Sequence, residues 1–316
     1  MSIDLTAPIF HDEDAARAHI EALRWPNGPY CPHCGEVSNV HKLEGKSHRP
    51  GLFQCNSCRE HFTVTVGSVM ESSHVPLHKW VLAFHLMAAS KKGISAHQLH
   101  RTIKVTYKTA WFMAHRIREA MRVQNPGPIG GEGKVVEADE AYHGKRETPI
   151  PSAQRKGRPY LKTGGGVGKK RAVVALVERG GEARAFHMPH VTADNIREKL
   201  VTNADRKSRL HTDESPLYKA VGTEYATHET VNHGAKEYAR GDVTSNTVEG
   251  FFGVFKRGMT GVYQHCGEQH FQRYIDEFTF RYNNRVKLGI GDAERADRAI
   301  RGAEGKRLTY GGPLSA

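Results

Sequence analysis

The chain has no long apolar run. Its longest, Trp80 to Ala89, is short and interrupted by His85, which excludes a membrane-spanning helix. No basic region leads into an apolar segment near Met1, so no secretory signal is expected and a reducing cytoplasm is the default location. Cysteine is scarce, with five in 316 residues, and in that compartment disulfides are not expected. Acidic charge is the other shortage: 34 Asp and Glu face 46 Lys and Arg, a net charge of +12 with a pI near 9.5. A surplus of this size favours a polyanionic partner, with nucleic acid the first candidate.

The basic residues fall in two blocks. From Val75 to Gln124 nine Lys or Arg stand against the single acid Glu119. From Lys145 to Arg171 another nine stand against Glu147, together with three prolines and the run Gly164-Gly-Gly-Val-Gly168, which reads as a mobile loop inside a domain. Apolar spacing predicts a short helix over Asp12 to Leu23 and helices throughout Pro76 to Arg122, with Ser95 and Thr106 as caps. Helix, turn and helix make a helix-turn-helix pattern. Asn125 to Gly131 reads as a linker. Beyond it the period changes to strands over 135–138, 172–177 and 183–188, a helix over 194–201, strands ending at Asp213 and Val231, a helix from Ser245 or Asn246, and a long helix over 268–283. This is a multidomain α/β layout whose mixed sheet suits a fold similar to ribonuclease H. The expected divisions are a helix and ribbon over 1–68, a helical region over 69–124, a linker over 125–133, the mixed-sheet domain over 134–290 and a tail over 291–316.

Cys31-Pro-His-Cys34 and Cys55-Asn-Ser-Cys58 are separated by 20 residues, the spacing of a four-cysteine zinc ribbon. Tetrahedral zinc needs four thiolates, and each C-x-x-C turn presents two. Cys266 has no partner in this scheme and reads as an ordinary thiol.

Two carboxylates stand at expected strand ends, Asp139 in Val135 to Tyr142 and Asp213 in Leu210 to Ser215. Adjacent strand ends can bring such a pair to one magnesium ion, which prefers oxygen ligands. Glu249 in Asn246-Thr-Val-Glu249 is the candidate third member, and Lys256, two turns further on, shares its helix face and could hold a phosphate. Plainer readings stand beside these: a solvated strand end for Asp139, a helix cap for Asp213, and a capping box with Asn246 as cap and Glu249 at its third position. Glu140 and Glu214 follow the chosen aspartates directly, and strand alternation lets at most one of each pair face a shared site.

The chain resembles bacterial insertion-sequence transposases that join an N-terminal zinc ribbon to a DDE-type integrase domain, the ISXO-two-like group. The similar segments are Leu23 to Gly35, Ser73 to Trp80, Ser90 to Ser95, Tyr107 to Arg118, Asp139-Glu-Ala-Tyr142, His211 to Ser215, Asn246 to Gly250, Lys256-Arg-Gly258 and Gln272 to Asn283. The resemblance implies a ribonuclease H-like catalytic domain and DNA transposition. It places the acidic triad on Asp139, Asp213 and Glu249, with Asn246 as the alternative third ligand. Where relatives continue after the tyrosine with a hydrophobic residue and two glycines, this chain has His143-Gly-Lys145.

It implies magnesium or manganese as a pair of catalytic ions beside the structural zinc. Its partners would be the terminal inverted repeats and target DNA, its location nucleoid-associated, and its working form a homodimer or higher oligomer. Lys108, Arg116 and Arg118 on the second helix of the helix-turn-helix are candidates for phosphate or base contacts, and Arg155, Lys156 and Arg158 for nonspecific phosphate contacts. Two alternatives remain: an inactive DNA-binding regulator of the same architecture, and a ribonuclease H-like nuclease that cuts without joining.

Overall fold

The computed structural model describes residues 4–147, 170–235, 237 and 239–309. The chain forms two compact units, residues 1–123 with 284–316, and residues 124–283. No helix among the described residues is long and apolar enough to cross a membrane.

The first unit begins with α1 (Glu13–Arg24), capped by Asp12, whose carboxylate accepts from the Ala15 amide at 2.7 Å. A three-stranded antiparallel ribbon follows, β1 (Val40–Lys42), β2 (Phe53–Cys55) and β3 (His61–Phe62). So small a sheet buries little surface, and its apolar support is aromatic. Trp25 meets Phe53 edge-on at 5.2 Å, and Phe53 stacks on Phe62 at 5.6 Å. Next come α2 (Leu77–Ala89), α3 (Ala96–Ile103) and α4 (Tyr107–Met121). Helix α2 buries Leu77, Trp80, Val81, Phe84, Met87 and Ala88, which recur at three- and four-residue intervals and so form one apolar face. Ser95 and Thr106 cap α3 and α4, accepting from the Gln98 and Thr109 amides. The turn between these two helices holds Lys104 at φ 53°, in the left-handed region.

The second unit is built on β5 (Val135–Lys145), β6 (Lys170–Glu178), β7 (Ala183–Met188), β9 (Arg209–Asp213) and β10 (Thr227–Val231), hydrogen-bonded in the order β10-β9-β5-β6-β7. Strands β5, β6 and β7 pair antiparallel in succession, while β9 runs parallel to β5 and β10 parallel to β9. Counted along the chain, these five lie in the ribonuclease H-like order 3-2-1-4-5. One face carries Ala141, Val173, Ala175 and Val177 against α7 (Asn246–Gly258) and α8 (Phe271–Asn283). The other carries Val136, Ala138, Val174, Leu176 and Leu210 against Ile196 and Leu200 of α5 (Ala193–Asn203) and Val221 of α6 (Lys219–Gly222).

Three expectations need correction. The first strand of the sheet does not stop near Asp139. Its ladder with β6 continues through Asp139 opposite Ala175 to a bulge between His143 and Lys145. Gly144 stands there at φ +61°, and a Cβ on it would lie 2.3 Å from the Arg171 guanidinium. The expected linker over 125–133 contains β4 (Ile129–Gly130), which pairs with β8 (Ala204–Asp205). The expected tail over 291–316 is part of the first unit: α9 (Asp292–Arg301) buries Ala296, Ala299 and Ile300. Its Arg295, 6% exposed, donates to the carbonyls of Ala88, Asn284 and Ile290. The mixed-sheet unit therefore ends at 283 rather than 290.

Candidate functional site

The register of β5 against β9 brings the two aspartates together. Glu137 pairs with His211, and two residues further along these parallel strands stand Asp139 and Asp213, on the face covered by α7. Neighbouring strands are about 4.8 Å apart, so two carboxylates in one row of a sheet repel each other strongly. Burial, then the charges of Glu140 and Asp213, with a smaller contribution from Glu249, push Asp139 up to about 7. The Glu140 amide donates to Asp139 at 2.7 Å and opposes this only in part. Glu140 itself points the other way, accepting from the buried Tyr218 hydroxyl at 2.7 Å. Asp213 accepts from the Ser215 amide at 3.0 Å, so it closes a local turn as well as facing Asp139.

The capping box on α7 is built differently from the expectation. Ser245, not Asn246, is the cap residue; Asn246 is the first helical residue and is exposed. The Ser245 hydroxyl donates to Glu249 at 2.8 Å, one position later than a capping box requires. The α7 amides are instead satisfied from across the fold by Glu137, a residue that sequence reasoning missed. Glu137 is fully buried. It accepts from the Thr247 and Val248 amides at 2.7 and 3.1 Å and from the Thr247 hydroxyl at 2.8 Å. Arg179 donates to the same carboxylate at 2.8 and 3.1 Å, and reaches the Asp242 carbonyl and the Thr244 hydroxyl as well. A carboxylate at a helix N-terminus satisfies orphan amides and opposes the positive end of the helix dipole. The strand bearing Asp139 thereby fixes the helix bearing Glu249. The only sequence signal for this was Glu137 standing two positions before Asp139 in the otherwise apolar segment Val135 to Ala138.

Lys256 is exposed on α7. Burial, then the charges of Arg171, Lys256 and Lys170, push His143 below the usual imidazole range. His143 follows Asp139 by four residues on the same strand face, so these cations gather near one end of the acidic row. Arg171 is buried, donating to the Cys266 carbonyl at 2.8 Å with its guanidinium 4.3 Å from the Phe271 ring centroid. Arg155, Lys156 and Arg158 lie outside the described residues.

In the first unit Cys31, Cys34, Cys55 and Cys58 place their sulfurs within 4.8 Å of one another, with 3.6 Å between Cys31 and Cys58 and between Cys34 and Cys55. Four thiolates at 2.3 Å from a tetrahedral centre would be about 3.8 Å apart. The donor set and its dimensions fit zinc. The two turns are alike: Gly35 and Arg59, both at positive φ, donate to the carbonyls of Cys31 and Cys55. No other group of three or more His, Cys, Asp or Glu side chains among the described residues converges so closely, so the three acids of the second unit are more widely spaced than these sulfurs.

The helix-turn-helix cations divide. Lys108 is exposed. Arg116 is half-buried, donating to the Leu308 and Glu71 carbonyls at 3.2 and 3.0 Å with its guanidinium 4.6 Å from the Phe112 ring centroid. Arg118 is 3% exposed. The expectation that Arg116 and Arg118 face DNA is therefore corrected: α4 turns that side toward the first unit, where Arg118 is buried and Arg116 is committed to two carbonyls.

The transposase zinc-ribbon domain matches residues 11–61, and the ISXO2-like transposase domain matches residues 130–283. An uncharacterized protein in transposable element ISH50 of Halobacterium salinarum is 31% identical over 257 residues, which is 79% of this chain and 84% of that protein. This chain belongs to the ISXO2-like transposase family. Among solved structures the transposase is similar to the Mos1 transposase paired-end complex with left transposon end, at 15% identity over 70% of this chain and 74% of that one, with a TM-score of 0.30. The Mos1 strand transfer complex stands at 16% identity over 72% and 79%, also with a TM-score of 0.30.

Two outcomes follow from this geometry. The transposase should bind zinc stoichiometrically, and Cys31→Ser or Cys55→Ser should lose the metal and unfold the ribbon, since structural zinc supplies folding free energy that so small a core lacks. Well-folded protein nearly devoid of zinc by metal analysis would contradict this. The second concerns Asp139, whose folded pKa lies above its ordinary 3.8. The fold holds a proton that the unfolded chain releases, so stability falls as pH rises from about 4 to about 7, and the full penalty remains above that. With zinc retained and other divalent ions removed, Asp139→Asn should stabilise the protein by roughly 2 to 4 kcal/mol at pH 8 and by little at pH 4. Urea titrations at both pH values check this, and destabilisation at pH 8 would contradict it.

Proposed function

We propose that this transposase binds the terminal inverted repeats of its own insertion sequence, cuts the element ends and joins them to target DNA. Asp139, Asp213 and Glu249 are the proposed residues for holding divalent metal. The observation that carries this reading is the acidic row formed by Asp139 and Asp213. Burial, with the charges of Glu140 and Asp213 added, raises Asp139 to about 7, a penalty on the ionised carboxylate that a bound cation would relieve. Magnesium or manganese bound there as a pair would activate the attacking oxygen and stabilise the leaving one.

The chain's own residues supply the setting. Glu137 and Arg179 hold the first turn of α7 against β5, Ser245 holds Glu249, and Lys256 with Lys170 and Arg171 supplies positive charge beside His143 to draw a phosphate backbone toward the acids. Water attacks first, and the freed 3′ hydroxyl attacks target DNA next, with no covalent protein intermediate. The reaction is assigned to a homodimer or higher oligomer holding both element ends. Asn246 remains the alternative third ligand, exposed one position inside the helix cap. A carboxylate holds a divalent cation more strongly than an amide does, which favours Glu249.

Asp139→Asn, Asp213→Asn and Glu249→Gln should each abolish cutting and joining of labelled element ends, measured against a plasmid target, while leaving end binding intact. Asn246→Ala should leave the chemistry working. Near-normal joining by Glu249→Gln beside a folded but inactive Asn246→Ala would transfer the third ligand to the amide. Cutting without joining by the wild type would make the protein a nuclease, and end binding without either reaction would make it a regulator.

A further inference from the structure

The second helix of the helix-turn-helix is a core helix for most of its length. Beyond its first turn Met113, Ala114, His115, Ile117, Arg118, Ala120 and Met121 are buried, and Arg116 is committed to two carbonyls. Exposure is concentrated at its start and on the preceding helix. Tyr107 and Lys108 are exposed, as are Lys104 in the turn and His97 and Arg101 on α3. No Asp or Glu occurs between Val75 and Arg118 to offset these cations. Within this basic surface stands a large aromatic side chain left in solvent: Tyr107, 45% exposed. Its ring stacks on His97 at 4.3 Å with planes 25° apart, and meets His100 edge-on at 6.2 Å. A tyrosine braced by two rings loses little side-chain freedom when it makes a contact.

Helix-turn-helix domains present the N-terminal residues of their second helix to base edges. Here those are also the residues of that helix most open to solvent before its C-terminal end. We propose that the first unit meets duplex DNA end-on through the turn between α3 and α4. Tyr107, braced by His97 and His100, reads a base edge, and Arg101, Lys104 and Lys108 hold the flanking phosphates. The ring suits apolar contact with a thymine methyl group, and its hydroxyl can donate to or accept from a neighbouring base. This inference rests on the end-recognition reading above and refines it, because it excludes the lengthwise docking of α4 that Arg116 and Arg118 would have required.

The test uses the full-length, zinc-loaded protein. Its probes are fluorescein-labelled duplexes carrying either end of the element that encodes the chain, beside a scrambled duplex of equal length. Tyr107→Ala should reduce the preference for element ends about tenfold, the effect of removing one base-edge interaction, while Tyr107→Phe keeps most of it. Replacing Lys104 and Lys108 together with Ala should reduce the logarithmic salt slope by about 1.8 on both probes, roughly 0.9 for each phosphate no longer neutralised. Arg122→Ala, at the exposed C-terminal end of α4, should change neither quantity. Zinc content and melting temperature verify that each variant is folded. Full preference in Tyr107→Ala, an unchanged slope in the lysine variant, or loss of preference in Arg122→Ala would overturn end-on docking while leaving end recognition standing. A wild type that treats element ends and scrambled DNA alike would overturn both.

Discussion

The second unit depends on one buried carboxylate. Glu137 is fully enclosed and is accepted there only because every direction around it supplies a donor: two α7 amides, the Thr247 hydroxyl and the Arg179 guanidinium. A buried charge without such partners costs several kcal/mol, so this arrangement has to form as a whole or fail. Its consequence is geometric. It ties the first turn of a helix to a sheet at a point two residues from Asp139, and the Ser245 hydroxyl passes that constraint on to Glu249. Each proposed metal ligand therefore sits on, or is held to, a regular element, which is the rigidity that metal chemistry needs.

The features legible in the sequence were those that spacing along one chain records. Two C-x-x-C pairs at ribbon distance need nothing beyond their own turns, and their sulfurs converge. Ser95 and Thr106 announced two helix starts for the same reason: a cap acts three residues away. The aspartates were legible as strand residues, but their pairing depends on the register of Glu137 against His211, which no local pattern records. The choice between Asp139 and Glu140 likewise required knowing which sheet face Tyr218 covers.

Other misreadings have a shared cause: polar or charged residues whose partners are remote in sequence. The segment Asp292 to Arg301 has a mean composition that suits a solvated tail, yet a narrow stripe of Ala296, Ala299 and Ile300 docks it in the first unit. Arg295 gains three carbonyls there, and Arg116 finds two. Counting such arginines as surface charge overstated how much of α4 was open to DNA. The tight turn before α4 uses Lys104 in a left-handed conformation with no glycine.

The central claim is that Glu137 sets α7 so that Glu249 can join the two aspartates around divalent metal. Manganese titration of the full-length protein, followed by electron paramagnetic resonance with zinc held constant, tests it most directly. The account predicts that Glu137→Gln, which keeps the shape but weakens the clamp, lowers manganese affinity at least tenfold, the usual effect of losing a partner that orients a metal ligand. Folded Glu137→Gln protein that binds manganese as tightly as the wild type would contradict it.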